Sequence, residues 1–555
     1  MLARFAGAGS LRSRAQALCF PPAQVPRPHV SAAAWKGGRA PRLVCGFVTD
    51  LRARFDELLR RLGEISDLQR VGSLLSWDQE TKMPPLGAPA RAEQHATLAR
   101  IAHELGTAPE LGALLEELRE LEESHERESF EASVVRIARR DYERKLRVPS
   151  ELRAEMTRAE SLGYAGWLEA RAAGDFDLFR RHLERRLALT REYAACHEPY
   201  DDLYDVLLDD EEPGMRTADV EAVFARLKAE LVPLVAGLGE PVDDSCLHGR
   251  FPPDRQRTFS VEVLKRWGMD ERAWRLDDTV HPFSANISGT DIRITARFET
   301  DDLTGVFSCL HEFGHGVYER QVDERYARTP LQEGASSSIH ESQSRLWENV
   351  VGRRLSTWRF FYPRLQELFP EQLAGLALED FHRALNRVAP TARRVDADEV
   401  TYPLHIVLRF ELEREMLAGD VTPAELPEAF DAKLREYLGV EPTGVVEGVL
   451  QDVHWSDSNF GYFPTYAIGS VIATQLWERA AGELGDLDEE FERGEFGPLL
   501  DWLRERVHRW GRTFEPPELL ERVVSGPLDP EPYLAYLRAK VEALAAGSSR
   551  PAGLR

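Results

Sequence analysis

The stretch HEFGHGVYE, residues 311–319, decides how the rest of this chain is read. Upstream of it Thr300, Asp301 and Asp302 offer helix caps, and from there to Tyr318 an apolar stripe runs through Leu303, Val306, Leu310, Phe313 and Val317. That spacing predicts a helix with one face in a core. About a quarter-turn round the axis lies a second stripe, Ser308, His311, His315 and Glu319, so the two imidazoles stack on one face at the spacing that grips a single ion. Neutral imidazole nitrogens suit zinc, and Glu312 beside them can take a proton from a metal-bound water whose pKa has fallen to about 7. Gly314 and Gly316 each cost about 1 kcal/mol relative to Ala inside a helix, a penalty that makes sense where another backbone or a ligand must come close.

A catalytic metal site of this kind needs a third protein ligand and an open position. Three carboxylates compete for the role. Glu319 extends the histidine stripe by one turn, whereas Glu341 and Glu348 share a face of the next predicted helix, SSSIHESQSRLWENVVG (336–352), because seven residues make nearly two turns. Helical spacing does not separate the last two. Ser338 and Glu341 also have the spacing of a capping box, in which the glutamate would only satisfy its own helix N-terminus.

Working outward, the 555 residues are 43% hydrophobic and 30% charged, enough apolar material for a sizeable core but with no apolar run of membrane-spanning length. From Asp50 onward the period is helical, first through Leu51, Phe55, Leu58, Leu59, Leu62 and Ile65, then over 88–125, 130–145, 150–172, 175–208 and 216–237. The expected fold is mostly α, a single large helical body. Only 281–300, HPFSANISGTDIRITARFET, alternates apolar and polar residues around Ile292 and Ile294 after a turn at Ser288 and Gly289, which predicts a small strand or hairpin. Its place just before the histidine helix matters, since an exposed strand edge can pair with an extended peptide.

The net charge of -24 would repel nucleic acid and acidic membranes, so neither is an expected partner. Five cysteines (Cys19, Cys45, Cys196, Cys246, Cys309) without CxxC spacing argue against a disulfide framework and against a thiolate zinc site, and for a reducing compartment. Residues 1–49 contain no Asp or Glu and are rich in Arg, Ala, Pro and Ser, as in an organelle transit peptide or a start codon placed too far upstream. The domain is therefore expected over 50–546, with a frayed tail at 547–555, in the cytoplasm, or in mitochondria or plastids if the leader is a transit peptide.

With HEFGH come HESQ at 340–343, DIRIT at 291–295, RRVDAD at 393–398, GVLQDVHW at 448–455 and the early LLSWDQETKMPP at 74–85. Together these motifs resemble the carboxypeptidase Taq family of metallocarboxypeptidases, over about residues 50–540. The resemblance implies a helical protein with a deep substrate groove, a small sheet beside the metal and a homodimer. It implies His311, His315 and Glu341 as metal ligands, Glu312 as general base, and zinc as the ion, with cobalt as an alternative. One departure is visible: the family's IRxxAD box opens with Ile, and here Arg393 stands in that place.

An enzyme that removes single C-terminal residues with broad specificity must recognise a free carboxylate, which the planar fork of an Arg does best. Arg394 is the family's counterpart; taken without the resemblance, its run with Arg393 beside Asp396, Asp398 and Glu399 reads as a surface ion-pair cluster. Arg293 in DIRIT is a second candidate, and it equally suits bracing the strand through Asp291. The oxyanion needs a donor that stays protonated near neutral pH. HWSDSNFGYFPTYAIGS (454–470) offers His454, Tyr462 and Tyr466, with Pro464 placed to open a helix. By resemblance Tyr466 is the oxyanion donor, with Tyr462 and His454 as substrate contacts. The expected substrates are peptides with a free C-terminus; the competing readings are a zinc endopeptidase or oligopeptidase and a non-catalytic helical scaffold.

Overall fold

A computed structural model describes residues 42–456 and 460–547, with side chains from Asp50 onward. Most of the leader expected at 1–49 and most of the tail expected at 547–555 lie outside those residues. The first described helix, α1, spans Arg42–Thr81, so it begins inside the 1–49 stretch. Its stripe folds as its spacing predicts: Phe55, Leu58, Leu62 and Ile65 are buried in a small apolar cluster with Leu111, Leu114, Val134, Val135, Tyr326 and Leu331. From Leu51 onward the chain is one compact unit.

Two predicted helices are in fact several. The 88–125 segment is broken into Ala88–Gly106, Pro109–Glu117 and Arg119–Ser124, with Pro109 opening the second piece. The 175–208 segment divides into Asp177–Ala195 and α2, Leu203–Glu211, because Pro199 falls between them. Periodicity alone runs through such breaks when the apolar phase is kept on both sides.

The sheet has three strands, β1 (Trp274–Asp278), β2 (Ser284–Ser288) and β3 (Asp291–Ala296), in the order β1-β3-β2. The antiparallel β2–β3 pair is the predicted hairpin, whereas β1, which pairs parallel to β3, was not predicted. Five residues, WRLDD, are too short an alternation to stand out from the helical period around them. Ile292 and Ile294 are fully buried, and Ile292 packs against the helix α3, Thr304–Gln321. On the other face of β3, Arg293 points the opposite way.

Helix α3 carries the histidines, with Asp302 Oδ1 accepting from Thr304 N at 2.8 Å at its start. Its glycines are explained by close neighbours. A Cβ on Gly314 would come within 2.5 Å of Ser344 Cα on α4, Ser337–Arg345, and one on Gly316 within 2.6 Å of the Trp274 ring on β1. The main core continues through α5, Tyr402–Ala418, and α6, Phe463–Leu484, most of whose residues are buried.

Buried Glu413 on α5 pins the segment that leads into α6. It accepts from Tyr204 Oη at 2.6 Å, Trp455 Nε1 at 2.9 Å and Gly461 N at 3.1 Å, and burial still pushes its pKa up to about 7. A carboxyl whose folded pKa is raised contributes stability in full below its unfolded value, near 4.5, and loses that contribution as pH rises through about 7. Urea unfolding of the native chain is therefore expected to lose on the order of 1–3 kcal/mol between pH 5 and 8 relative to Glu413→Gln, which cannot ionise.

Candidate metal centre

Helices α3 and α4 meet where Gly314 removes a side chain, and α6 closes on them where a Cβ at Gly469 would lie 2.7 Å from Glu341 Cγ. This packing gathers His311, His315 and Glu341 from two helices into one cluster, each offering a ligand atom within 4.8 Å of the others. His311 Nε2 and His315 Nε2 are 3.2 Å apart, and Glu341 Oε2 is 3.7 Å from the first and 3.4 Å from the second. Ligands held at about 2.0–2.2 Å from a tetrahedral zinc are separated by about 3.3–3.6 Å, so the donor set fits such an ion in both chemistry and spacing.

The three competing carboxylates are all present, in three different places. Glu348 Oε2 lies 2.8 Å from His311 Nδ1, on the far side of the ring from Nε2. Glu319 Oε1 lies 2.9 Å from His340 Nε2, and His340 Nδ1 in turn is 2.7 Å from His315 Nδ1. Only Glu341 faces both Nε2 atoms. Its capping-box alternative is not what the helix uses: Ser336 Oγ accepts from Ile339 N at 3.1 Å, and Ser338 donates its N–H to Glu212 from inside the helix. Beyond Arg345 the helix widens into a π-helical stretch, Leu346–Val351, that carries Glu348.

Arg345 completes the arrangement from within. Its Nε donates to Glu341 Oε1 at 2.7 Å, so that Oε2, which accepts from Ser344 Oγ at 3.0 Å, is the oxygen turned toward the histidines, and its Nη1 is 3.4 Å from Glu348 Oε2. Burial would raise the Glu341 pKa, but Arg345 and His311 hold it well below the usual carboxylate range. Glu312, 5% exposed, is pushed up to about 7 by burial. Among the described residues it has no hydrogen-bond or ion-pair partner, so both its oxygens remain able to accept.

Arg394 is buried, with Nε 2.9 Å from Asp452 Oδ1 and Nη1 3.0 Å from Tyr402 Oη. The exposed ion pair that its neighbourhood suggested is made instead by Arg393, whose Nη1 is 3.1 Å from Asp396 Oδ2. Arg409 Nε takes the other Asp452 oxygen at 2.7 Å. Stacked contacts link Arg394 to the metal cluster: its Cζ is 5.2 Å from the Tyr466 ring centroid, and Tyr402, which it bonds, lies 4.6 Å beneath Arg345 Cζ. Tyr466 stands in the first turn of α6, opened by Pro464 as the sequence suggests, with its Oη 3.1 Å from His454 Nε2 and its ring 5.2 Å from that of Tyr462. Burial raises the Tyr466 pKa well above 10 and pushes His454 down to about 4, so both are uncharged at neutral pH.

Arg293 is placed differently from the rest. It makes two bonds to Asp291, at 2.9 and 2.8 Å, and its Cζ lies 4.3 Å over the Trp77 ring, with Arg275 of β1 4.6 Å from the same ring. The sheet face it occupies is the one opposite α3, which favours the bracing alternative. Sequence reasoning missed Arg345, His340, Tyr402 and Asp452. A signal existed for Arg345, four residues after Glu341 and three before Glu348, the helical spacing of ion pairs. The partners of His340, Tyr402 and Asp452 lie on other segments and leave no local pattern.

Residues 57–541 match the family described as carboxypeptidase Taq (M32) metallopeptidase. The chain belongs to that family. Thermostable carboxypeptidase 1 of Thermus thermophilus is 43% identical over 505 residues, covering 89% of this chain and 99% of the relative. Carboxypeptidase 1 of Bacillus subtilis is 35% identical over 490 residues, covering 88% and 97%. The solved M32 carboxypeptidase of Deinococcus radiodurans R1 superposes with a TM-score of 0.86 at 39% identity, covering 89% of this chain and 100% of that one. This M32 chain is a metal-dependent carboxypeptidase acting on peptides, and the endopeptidase and scaffold readings give way to that. Among the described residues no helix is long and apolar enough to cross a membrane.

Proposed function

We propose that His311, His315 and Glu341 hold zinc, that Glu312 is the general base, and that Arg394 receives the substrate's terminal carboxylate. The observation that carries this reading is the three-way spacing of the ligand atoms beside a carboxylate that has no partner among the described residues. When bound, the metal acidifies water and polarises the scissile carbonyl. Glu312 takes the proton of the attacking water and hands it to the leaving amine. A carboxyl near pKa 7 suits both halves of that transfer.

The oxyanion is assigned to Tyr466. If His454 Nε2–H donates to the Tyr466 oxygen, the phenolic O–H is left to point at the developing charge, and the raised pKa keeps that proton in place. Tyr462, packed on Tyr466, is proposed to bound the substrate beside it. Arg394 has five N–H donors, and Asp452 and Tyr402 leave part of the fork for a substrate carboxylate. Its rigid seat between Asp452 and the aromatic rings spares the entropy of ordering a free Arg on binding.

The test is a timed digestion of one peptide as free acid and as C-terminal amide, with and without chelator. The free acid is expected to be cut at least about 100-fold faster, and both activities to vanish with chelator. Equal rates on the amide would remove Arg394 from its role. An Arg394→Lys chain is expected to lose most of the preference, since a point charge cannot reproduce the two-pronged contact.

A further inference from the structure

The hydrogen on each ligand imidazole must sit on the nitrogen away from the ion, and the two histidines meet that demand by different devices. His311 uses one carboxylate, Glu348, which can only accept and so draws the hydrogen to Nδ1. Among the described residues no carboxylate reaches His315 Nδ1. Resting on the ligand set proposed above, we infer that His340, itself fixed by Glu319, is the positioning residue that keeps His315 in the form whose Nε2 lone pair faces the metal.

The chain of contacts runs from a carboxylate at one end to a ligand nitrogen at the other. Glu319 is an acceptor; its Oε2 receives Asn286 Nδ2 from β2, and its Oε1 lies 2.9 Å from His340 Nε2, which therefore carries a hydrogen. With that single hydrogen on Nε2, the His340 ring offers a lone pair at Nδ1. That atom is 2.7 Å from His315 Nδ1, so the hydrogen between them belongs to His315. His315 Nε2 is thereby left bare, the same atom that lies 3.2 Å from His311 Nε2 and 3.4 Å from Glu341 Oε2.

Packing holds the relay in register. The His315 and His340 ring centroids are 4.8 Å apart, Tyr318 lies 5.2 Å from His340 on another side, and a Cβ at Gly334 would come within 2.9 Å of the His340 ring. Asn286 is itself buried, and Arg70 of α1 donates to its carbonyl at 2.9 Å. The small sheet thus does more than cover α3: its strand β2 supplies the fixed outer end of the relay. Such an arrangement acts on the metal through another residue, so its measure is metal affinity.

The experiment is a competition titration of the full-length apo protein with zinc ion alone against a chelator, giving Kd for the native chain, His340→Phe, His340→Gln, Glu319→Ala and His315→Ala. His340→Phe, which offers no acceptor, is expected to weaken zinc about 10–100-fold, and Glu319→Ala, which frees His340 to turn, to do the same. His340→Gln, whose amide oxygen can accept from His315 Nδ1, is expected to recover most of the loss. Zinc binding in His340→Phe and Glu319→Ala within about twofold of native, or no recovery in His340→Gln, would overturn the relay. Should His340→Phe fail to fold, Glu319→Ala and His340→Gln decide alone. An unchanged Kd in His315→Ala would instead overturn the ligand set, a separate failure.

Discussion

Glu312→Gln is expected to bind zinc within about threefold of the native affinity and to cut peptides about 10²–10⁴-fold more slowly. Gln has the same shape and sits in the same buried position, but an amide cannot take a proton from water. Three features of the site separate this residue from the others around it. It is not one of the clustered ligand atoms, it has no protein partner among the described residues, and burial holds its pKa near the range a proton shuttle needs. A loss confined to kcat, with metal content intact, is the signature of a base; loss of metal together with activity would make Glu312 a ligand. Steady-state kinetics on metal-saturated protein, with the zinc content measured on the same sample, distinguishes the two.

The second large effect concerns the three carboxylates that the sequence left in competition. Glu341→Gln is expected to weaken zinc by more than about 100-fold, because losing an orienting outer residue already costs 10–100-fold and a direct ligand costs more. Glu348→Gln should fall inside that lower range, since Glu348 sits at His311 Nδ1, on the side of the ring away from the cluster. The order of the two affinities decides their roles, whatever the absolute values. If Glu348→Gln were the more damaging, the ion would have to lie elsewhere than between the two Nε2 atoms.

Much of this was open to reading in the linear chain, and the parts that were not have a common cause. Local periodicity carried the helices, the hairpin and the histidine face, because each depends on residues within two turns or one strand of each other. The two glycines of HEFGHG signalled close neighbours, but not which ones; α4 and β1 supply them. Helix breaks at Pro109 and Pro199 were hidden by an apolar phase that continues across them. The strand β1 was hidden by its shortness. Spacing could not choose between Glu341 and Glu348, since both reach the histidine pair, and their different duties depend on which nitrogen each one meets. Without the family resemblance Arg394 reads as surface charge, because its true partner, Asp452, lies far along the sequence. The chemistry of single residues was legible; the pairing of distant ones was not.

The central claim is that two imidazoles of α3 and one carboxylate of α4 share a single ion. Diffraction from zinc-loaded crystals, recorded just above and just below the zinc absorption edge, tests it most directly. The account predicts one strong difference peak about 2.0–2.2 Å from His311 Nε2, His315 Nε2 and a Glu341 oxygen together, with Glu348 and Glu319 outside bonding reach. A peak bonded to Glu348 or Glu319 in place of Glu341, or lying away from the histidine pair, would contradict it.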